Sequence, residues 1–424
     1  MAANASWPVT DSGRRETNMK ILVMTTKSPY PLFEGRALRT YNLIKQAANV
    51  HEIHLLSFVQ TQEDLSGIEH MRQMCKVVEY EKLYFDGAKR DLLKDAVAEI
   101  FSRAPLPVMK YRTSSMREKL RRLIAEHHYD LIHLDMLHLA EYVDVCGDIP
   151  VVLVEHNVEH VILDRRADND PRWLARTYLR YQAAKLKAYE GWACAKARHV
   201  VAVSDLDAQQ LRALAPSAKV VAVPNGVDTE YFEAAGGGKR RSNLVFVGGF
   251  TWFPNLDAIG YFCDEILPRL LKLVPDVSLT VIGRHPEGAA VQKIAQHPQV
   301  ELAGLVDDIR PYVDAAQAYV VPLRIGGGTR LKILDALAMS QTIVSTSVGC
   351  EGLAVKHGES IVIADTPDEF AQAVAKVLRD RSFAEEVGRQ GRQLVERQYD
   401  WRAVAQTLLT VYNEARNQRK MPAA

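Results

Sequence analysis

Short, largely apolar runs alternate along this chain with longer stretches in which apolar residues return every three or four positions. In the first half the runs occupy residues 20–25, 52–58, 131–134, 151–154 and 200–203, and helical periodicity marks 36–48, 116–126 and 173–194. The second half restarts the pattern, with runs at 244–247, 278–282, 300–302, 318–322, 342–345 and 360–363 and helical stretches at 255–274, 291–296, 309–315, 331–339 and 367–379. Strand then helix, repeated, predicts parallel sheets: parallel neighbours need a crossover, and a strand covered on both faces reads as continuous apolar sequence. The turn-rich segment Pro224-Asn225-Gly226-Val227-Asp228 interrupts the alternation. The expected fold class is therefore α/β, two facing Rossmann-like doubly wound domains, residues 19–222 and 223–400, with a cleft between them. Ligands of such sheets sit at the carboxyl ends of the strands, so the cleft is the expected site. Residues 1–18 are polar, carry Arg14 and Arg15, lack the apolar core of a signal peptide, and read as a disordered leader.

One loop carries candidate chemistry. Gly326-Gly327-Gly328-Thr329-Arg330-Leu331-Lys332 follows an apolar run and opens a helical stretch. Glycines let backbone N–H groups close on phosphate oxygens, and a helix N-terminus adds the positive end of its dipole. Arg330 and Lys332 add full charges, and Asp335 places a carboxylate one turn further on. A nicotinamide enzyme would instead carry GxGxxG after a first strand. Here the two halves read Thr26-Lys27-Ser28-Pro29 and Gly248-Gly249-Phe250-Thr251-Trp252 at that place, and no Walker lysine motif occurs. Hydride transfer and ATP hydrolysis fall in rank. In the first half, the run 151–154 ends in Glu155-His156-Asn157-Val158-Glu159-His160. A polar cluster past the carboxyl end of a strand faces the cleft, which makes His156 a candidate active-site residue. His160, four residues on, invites a metal reading, ranked low because a third ligand with suitable spacing is not evident. His133, Asp135 and His138 beside the run 131–134 read as structural.

With 424 residues, 47% hydrophobic and 25% charged, the chain has room for two or three domains. Its net charge of +1 hides two basic stretches. One holds Arg103, Lys110, Arg112, Arg117, Lys119, Arg121 and Arg122; the other runs from 172 to 198 with Trp173, Tyr178, Tyr181 and Trp192 interleaved. Such faces suit an anionic membrane surface or a phosphorylated acceptor, or simply water. Nothing in the chain resembles a nucleic-acid-binding module. Cys75, Cys146, Cys194, Cys263 and Cys350 are scattered, as in a reduced, cytoplasmic protein, and the apolar runs are too short to span a membrane.

Pro224-Asn225-Gly226-Val227-Asp228 with Tyr231-Phe232, Phe246-Val247-Gly248-Gly249, Val281-Ile282-Gly283, Gly304 ahead of Asp308, and the GGGTRLK loop follow one another in this order. Together they resemble the retaining glycosyltransferases of family 4 (group 1), which have the GT-B fold. The chain further resembles the sugar transferases of bacterial exopolysaccharide and PEP-CTERM export systems. The likeness runs from about Met19 to Tyr412. It implies that the C-terminal domain binds a nucleoside diphosphate sugar, that the N-terminal domain binds a glycan or lipid-linked acceptor, and that a final helix, 401–417, crosses back to the first domain.

Carried over by motif, the paired family glutamates fall on Gly327 and Asp335; Asp335 would bind the ribose, one methylene short, and the sugar-binding glutamate is absent. The cations that the family places after the first strand of the C-terminal domain are missing at Gly248 and Gly249, so Arg330 and Lys332 are expected to neutralise the diphosphate. Arg284 is a further candidate for base or phosphate. His156 matches the family histidine near the donor sugar. Gly35 and Arg36 resemble the loop that nears diphosphate and acceptor, although Glu34 replaces one of its glycines. The resemblance implies retaining transfer without metal or cofactor, and the expected location is cytoplasmic, at the inner face of the membrane where the basic helices bind lipid. A nucleotide-sugar epimerase and a non-catalytic nucleotide-sugar binder are the rival readings.

Overall fold

The computed structural model describes residues 18–32, 35–83, 102, 104–169, 172–236, 238, 241–325 and 331–417. All of the expected leader except Asn18 lies outside them. The first sheet holds β1 (Lys20–Thr25), β2 (Glu52–Val59), β3 (Val77–Lys82), β4 (Leu131–Asp135), β5 (Val151–Val154), β6 (His199–Ala202) and β7 (Val220–Ala222) in the order β3-β2-β1-β4-β5-β6-β7. The second holds β8 (Asn243–Val247), β9 (Ser278–Ile282), β10 (Val300–Gly304), β11 (Ala318–Val321), β12 (Ile343–Ser345) and β13 (Val362–Ile363) in the order β10-β9-β8-β11-β12-β13. Every pairing is parallel. Strand order reverses between β1 and β4 and again between β8 and β11, and these switch points open the crevices that receive ligands.

Inner strands β5 and β11 are buried at every position, which is why they read as unbroken apolar runs, and β4 and β6 are equally buried although they carry His133, Asp135 and His199. Two edge strands lie outside the expected set. Edge strand β3 (VVEYEK) keeps one side in water, and its Glu79 and Glu81 pair with Arg122 and Lys119. Edge strand β7 has three residues. Ion pairs run through the basic stretch: among its described residues Arg112 pairs with Glu141, Arg117 with Asp144 at 2.8 Å, Lys119 with Glu81 at 2.8 Å and Arg122 with Glu79 at 2.5 Å.

The helix Trp401–Asn417 follows the second domain in sequence yet belongs to the first domain's core. Trp401, Val404, Leu408, Leu409 and Tyr412 are buried with Ile21 and Val23 of β1 and with Leu43 and Ile44 of the helix Gly35–Ala48. The two chain crossings between domains hold each other: Val227 N donates to Tyr399 O at 2.7 Å and Trp401 N to Val227 O at 3.2 Å. Gly226 is required there, since a Cβ would lie 2.5 Å from the Trp401 ring. A buried cation fastens the first crossing. Arg39, 1% exposed, donates through Nη1 to Pro224 O (2.6 Å) and Asn225 Oδ1 (3.1 Å) and through Nη2 to Val223 O (2.7 Å). Burial pushes its pKa down to about 10, with Asp135 opposing, so the guanidinium stays charged at neutral pH. Arg39→Met keeps the apolar stem but leaves those buried carbonyls without donors; it should destabilise the fold by about 2–4 kcal/mol, seen as a lowered Tm in calorimetry.

Candidate active site

In the first domain the site grows from the β1/β4 switch point. Asp135 ends β4 and His156 stands two residues past β5, so neighbouring strands deliver both side chains to one edge. His156 Nε2 lies 2.8 Å from Asp135 Oδ1, and Thr40 Oγ1 donates to Asp135 Oδ2 at 2.7 Å. Burial alone would raise the Asp135 carboxyl, but His156 and His133 beside it hold it well below the usual carboxylate range. It is an ionised acceptor. Arg36, in the first turn of the helix Gly35–Ala48, donates to Thr26 Oγ1 at 3.3 Å and reaches 3.2 Å from Met136 Sδ. Met136 adopts φ 120°, a backbone conformation disfavoured for a residue with a side chain and typical of strained functional positions. Thr26, Lys27, Arg36, Thr40, Asp64 and Asp135 line one pocket here.

In the second domain three loops stack at the carboxyl ends of β8, β9 and β10. Gly248 N donates to Ile282 O at 2.7 Å, Phe250 N to Arg284 O at 2.8 Å, and Gly283 N to Gly304 O at 2.8 Å. Gly283 has φ 144°, and a Cβ on it would come within 2.5 Å of Gly249 N, so backbone packs on backbone. Lys332 of the helix Leu331–Ala338 turns inward to these loops: its Nζ donates to Asn255 Oδ1 at 2.8 Å and sits 4.3 Å from the centre of the Phe246 ring. A Cβ at Gly248 would meet that ammonium at 2.6 Å. The missing side chain at 248 is what lets the cation reach the loop. Arg284 is exposed beside them and forms no ion pair among the described residues. Gly326, Gly327, Gly328, Thr329 and Arg330 lie outside the described residues.

The two halves of the site meet. Gly35 faces Leu331, where an added Cβ would lie 2.9 Å from Cδ1, so the first turn of the helix Gly35–Ala48 abuts the first turn of the helix Leu331–Ala338. His156 and His160 do not converge on a metal. His156 binds Asp135, whereas His160 Nδ1 binds the fully buried Glu190, and among the described residues no cluster of His, Cys, Asp and Glu is arranged to hold one. Glu155 turns into the interior with Oε1 unpartnered, and burial together with Glu190 and Glu159 raises its carboxyl well above the usual range.

The model for Glycosyltransferase Family 4 matches residues 35–231 and that for Glycosyl transferases group 1 matches residues 241–380. The chain belongs to the family 4 glycosyltransferases. Its architecture is that of the GT-B glycosyltransferases: sucrose-phosphate synthase from Thermosynechococcus elongatus superposes with a TM-score of 0.68 at 16% identity, covering 94% of this chain and 99% of that one. Anabaena HepE in complex with UDP superposes with a TM-score of 0.65 at 12% identity, covering 93% and 100%. By sequence, an uncharacterised 44.6 kDa protein of the cps region of Klebsiella pneumoniae is 22% identical over 401 residues, 91% of this chain and 97% of that protein.

For this glycosyltransferase the structure adds residues that sequence reasoning missed. Asp135, read above as structural, is the partner of His156; its place at the carboxyl end of a strand was the available signal. Asn255 and Thr40 gave none, because each acts through a partner distant in sequence. Asp335 sits half-buried on the helix Leu331–Ala338, and burial pushes its pKa up to about 7. A carboxyl raised in the folded state contributes stability below its unfolded pKa of about 4 and loses it as pH rises through the folded value. Asp335→Asn should therefore melt above wild type beyond pH 7, by no more than about 4 kcal/mol, with the gap closing toward pH 4 in a thermal-denaturation series.

Proposed function

We propose that this glycosyltransferase moves a sugar from a nucleoside diphosphate donor to an acceptor hydroxyl with retention of configuration, in the synthesis of a bacterial exopolysaccharide or other surface glycan. The observation that carries the reading is the inward turn of Lys332 onto the Gly248-Gly249 loop, across the Gly35–Leu331 contact from His156 and Arg36. A cation facing glycine backbone at a switch point is what a departing diphosphate requires, since fixed charge aimed at developing negative charge is often the largest catalytic contribution. Lys332 would replace the cations missing after β8, with Arg330 and Arg284 as further donor contacts and Asp335 accepting from ribose hydroxyls. UDP bound to the structurally similar HepE supports a nucleotide in this cleft, and the cps-region relative supports a surface glycan as product.

Retention is favoured by what the carboxylates near His156 do. Asp135 is committed to His156 and Thr40, and Glu155 is turned inward, so neither is placed as a nucleophile. In the front-face alternative the bond from the anomeric carbon to the β-phosphate oxygen breaks, and the electron pair leaves with the diphosphate. The acceptor oxygen then attaches from the same side, and its proton passes to the departing phosphate. Arg36, which lines the pocket beside Asp135, would contact the acceptor in this reading. Among the described residues no helix is long and apolar enough to cross a membrane. The helix Trp173–Lys196 instead exposes Trp173, Leu174, Tyr178, Tyr181 and Trp192, and its one acid, Glu190, is buried. Aromatic bodies among exposed cations such as Arg180 and Lys187 match an anionic lipid surface carrying the acceptor.

Incubation with a panel of nucleotide sugars and acceptors should give a product whose anomeric proton coupling matches the donor's; an inverted product overturns the retaining assignment. Lys332→Met should lower kcat/KM for donor on the order of 100-fold, the loss expected for one preorganised charge on the leaving group. In flotation, the protein should rise with phosphatidylglycerol vesicles and not with phosphatidylcholine alone, and Trp173→Ser with Tyr181→Ser should weaken that binding.

A further inference from the structure

The contacts behind His156 do not stop at Asp135. On the same face of β4, two residues earlier, His133 Nε2 stands 3.6 Å from Asp135 Oδ1, longer than a hydrogen bond yet close enough for electrostatic attraction. The other ring nitrogen, Nδ1, lies 2.5 Å from the hydroxyl of Tyr412, which is fully buried on the helix Trp401–Asn417. The Tyr412 hydroxyl can donate to Nδ1; the His133 proton then sits on Nε2 and faces Asp135. Thr40 holds the second carboxylate oxygen from the helix Gly35–Ala48. Three elements of the first domain thus fix one buried carboxylate against one imidazole.

We infer that Asp135 is a positioning residue for His156, and that Tyr412 on the crossing helix supports it through His133. The inference rests on the transferase reading for its kinetic consequence, though not for its geometry. An ionised carboxylate can only accept, so its hydrogen bond to Nε2 puts the imidazole proton there and selects one tautomer. Nδ1 is left as the ring nitrogen without a partner among the described residues, available to substrate in a single orientation. The arrangement also explains why His133 and Tyr412 are kept polar inside a core otherwise built from Ile21, Val23, Leu408 and Leu409. Burying unpaired polar groups is costly, and here each pays toward the next contact in the chain. The helix that returns from the second domain therefore supports the reactive edge of the first as well as its core.

The test is the tautomer of His156, read by long-range proton–nitrogen NMR on histidine-labelled protein, with His156→Gln assigning the signal. Wild type should show the proton on Nε2 at neutral pH. Asp135→Asn presents an amide donor to Nε2 and should move the proton to Nδ1. The same variant should lose kcat on the order of 100-fold with donor KM changed by no more than about twofold, and Tyr412→Phe should cost a few-fold in kcat that vanishes in the Asp135→Asn background. An Nδ1 proton in wild type, an unchanged tautomer in Asp135→Asn, or additive effects of the two substitutions would overturn the inference. Should Asp135→Asn not fold, Tyr412→Phe carries the test alone: mixed His156 tautomers are expected, and an undisturbed Nε2 proton refutes it. The NMR readout needs neither donor nor turnover, so wild-type protein with the expected tautomer but no transfer to any acceptor refutes the transferase reading separately.

Discussion

Everything in this molecule depends on how two doubly wound domains are joined without losing register at their shared edge, and one buried cation does much of that work. Arg39 reaches from the first helix of the first domain to the carbonyls of Val223 and Pro224 as the chain leaves that domain. A guanidinium removed from water must find fixed acceptors, and the linker supplies them in a geometry that a flexible connector would not keep. The return crossing is pinned to the outgoing one through Val227, Tyr399 and Trp401. The cleft is therefore bounded by a connection with defined shape.

That shape matters because the chemistry of the site is divided between the domains. Glycines at 248, 249 and 283 let loops pack backbone against backbone, and the space freed at Gly248 admits the Lys332 ammonium. Lys332 reaches that space from the helix after β11, where its ammonium meets Asn255 and the face of the Phe246 ring. Across the cleft, the first domain contributes an imidazole whose orientation is set by a carboxylate, and an arginine whose neighbour Met136 holds a strained backbone.

The parallel α/β architecture was legible in the sequence alone, because burial on both faces of an inner strand leaves a local signature that no distant residue can erase. The sequence also singled out His156, Gly35, Arg36, Gly248 and Lys332 as candidates, all of which stand at carboxyl ends of strands or at helix starts, where position follows from order along the chain. It did not mark β3, whose Glu79 and Glu81 break the apolar run on an edge with one side in water, nor β7, whose three residues are too short to stand out. The direction of Lys332, the pairing of Asp135 with His156, the burial of Arg39 and the contact of Tyr412 with His133 emerge only in the folded chain. Each is an interaction between groups far apart in sequence, and a charged side chain takes its role from the partner and the dielectric it meets after folding, neither of which is written in its own neighbourhood.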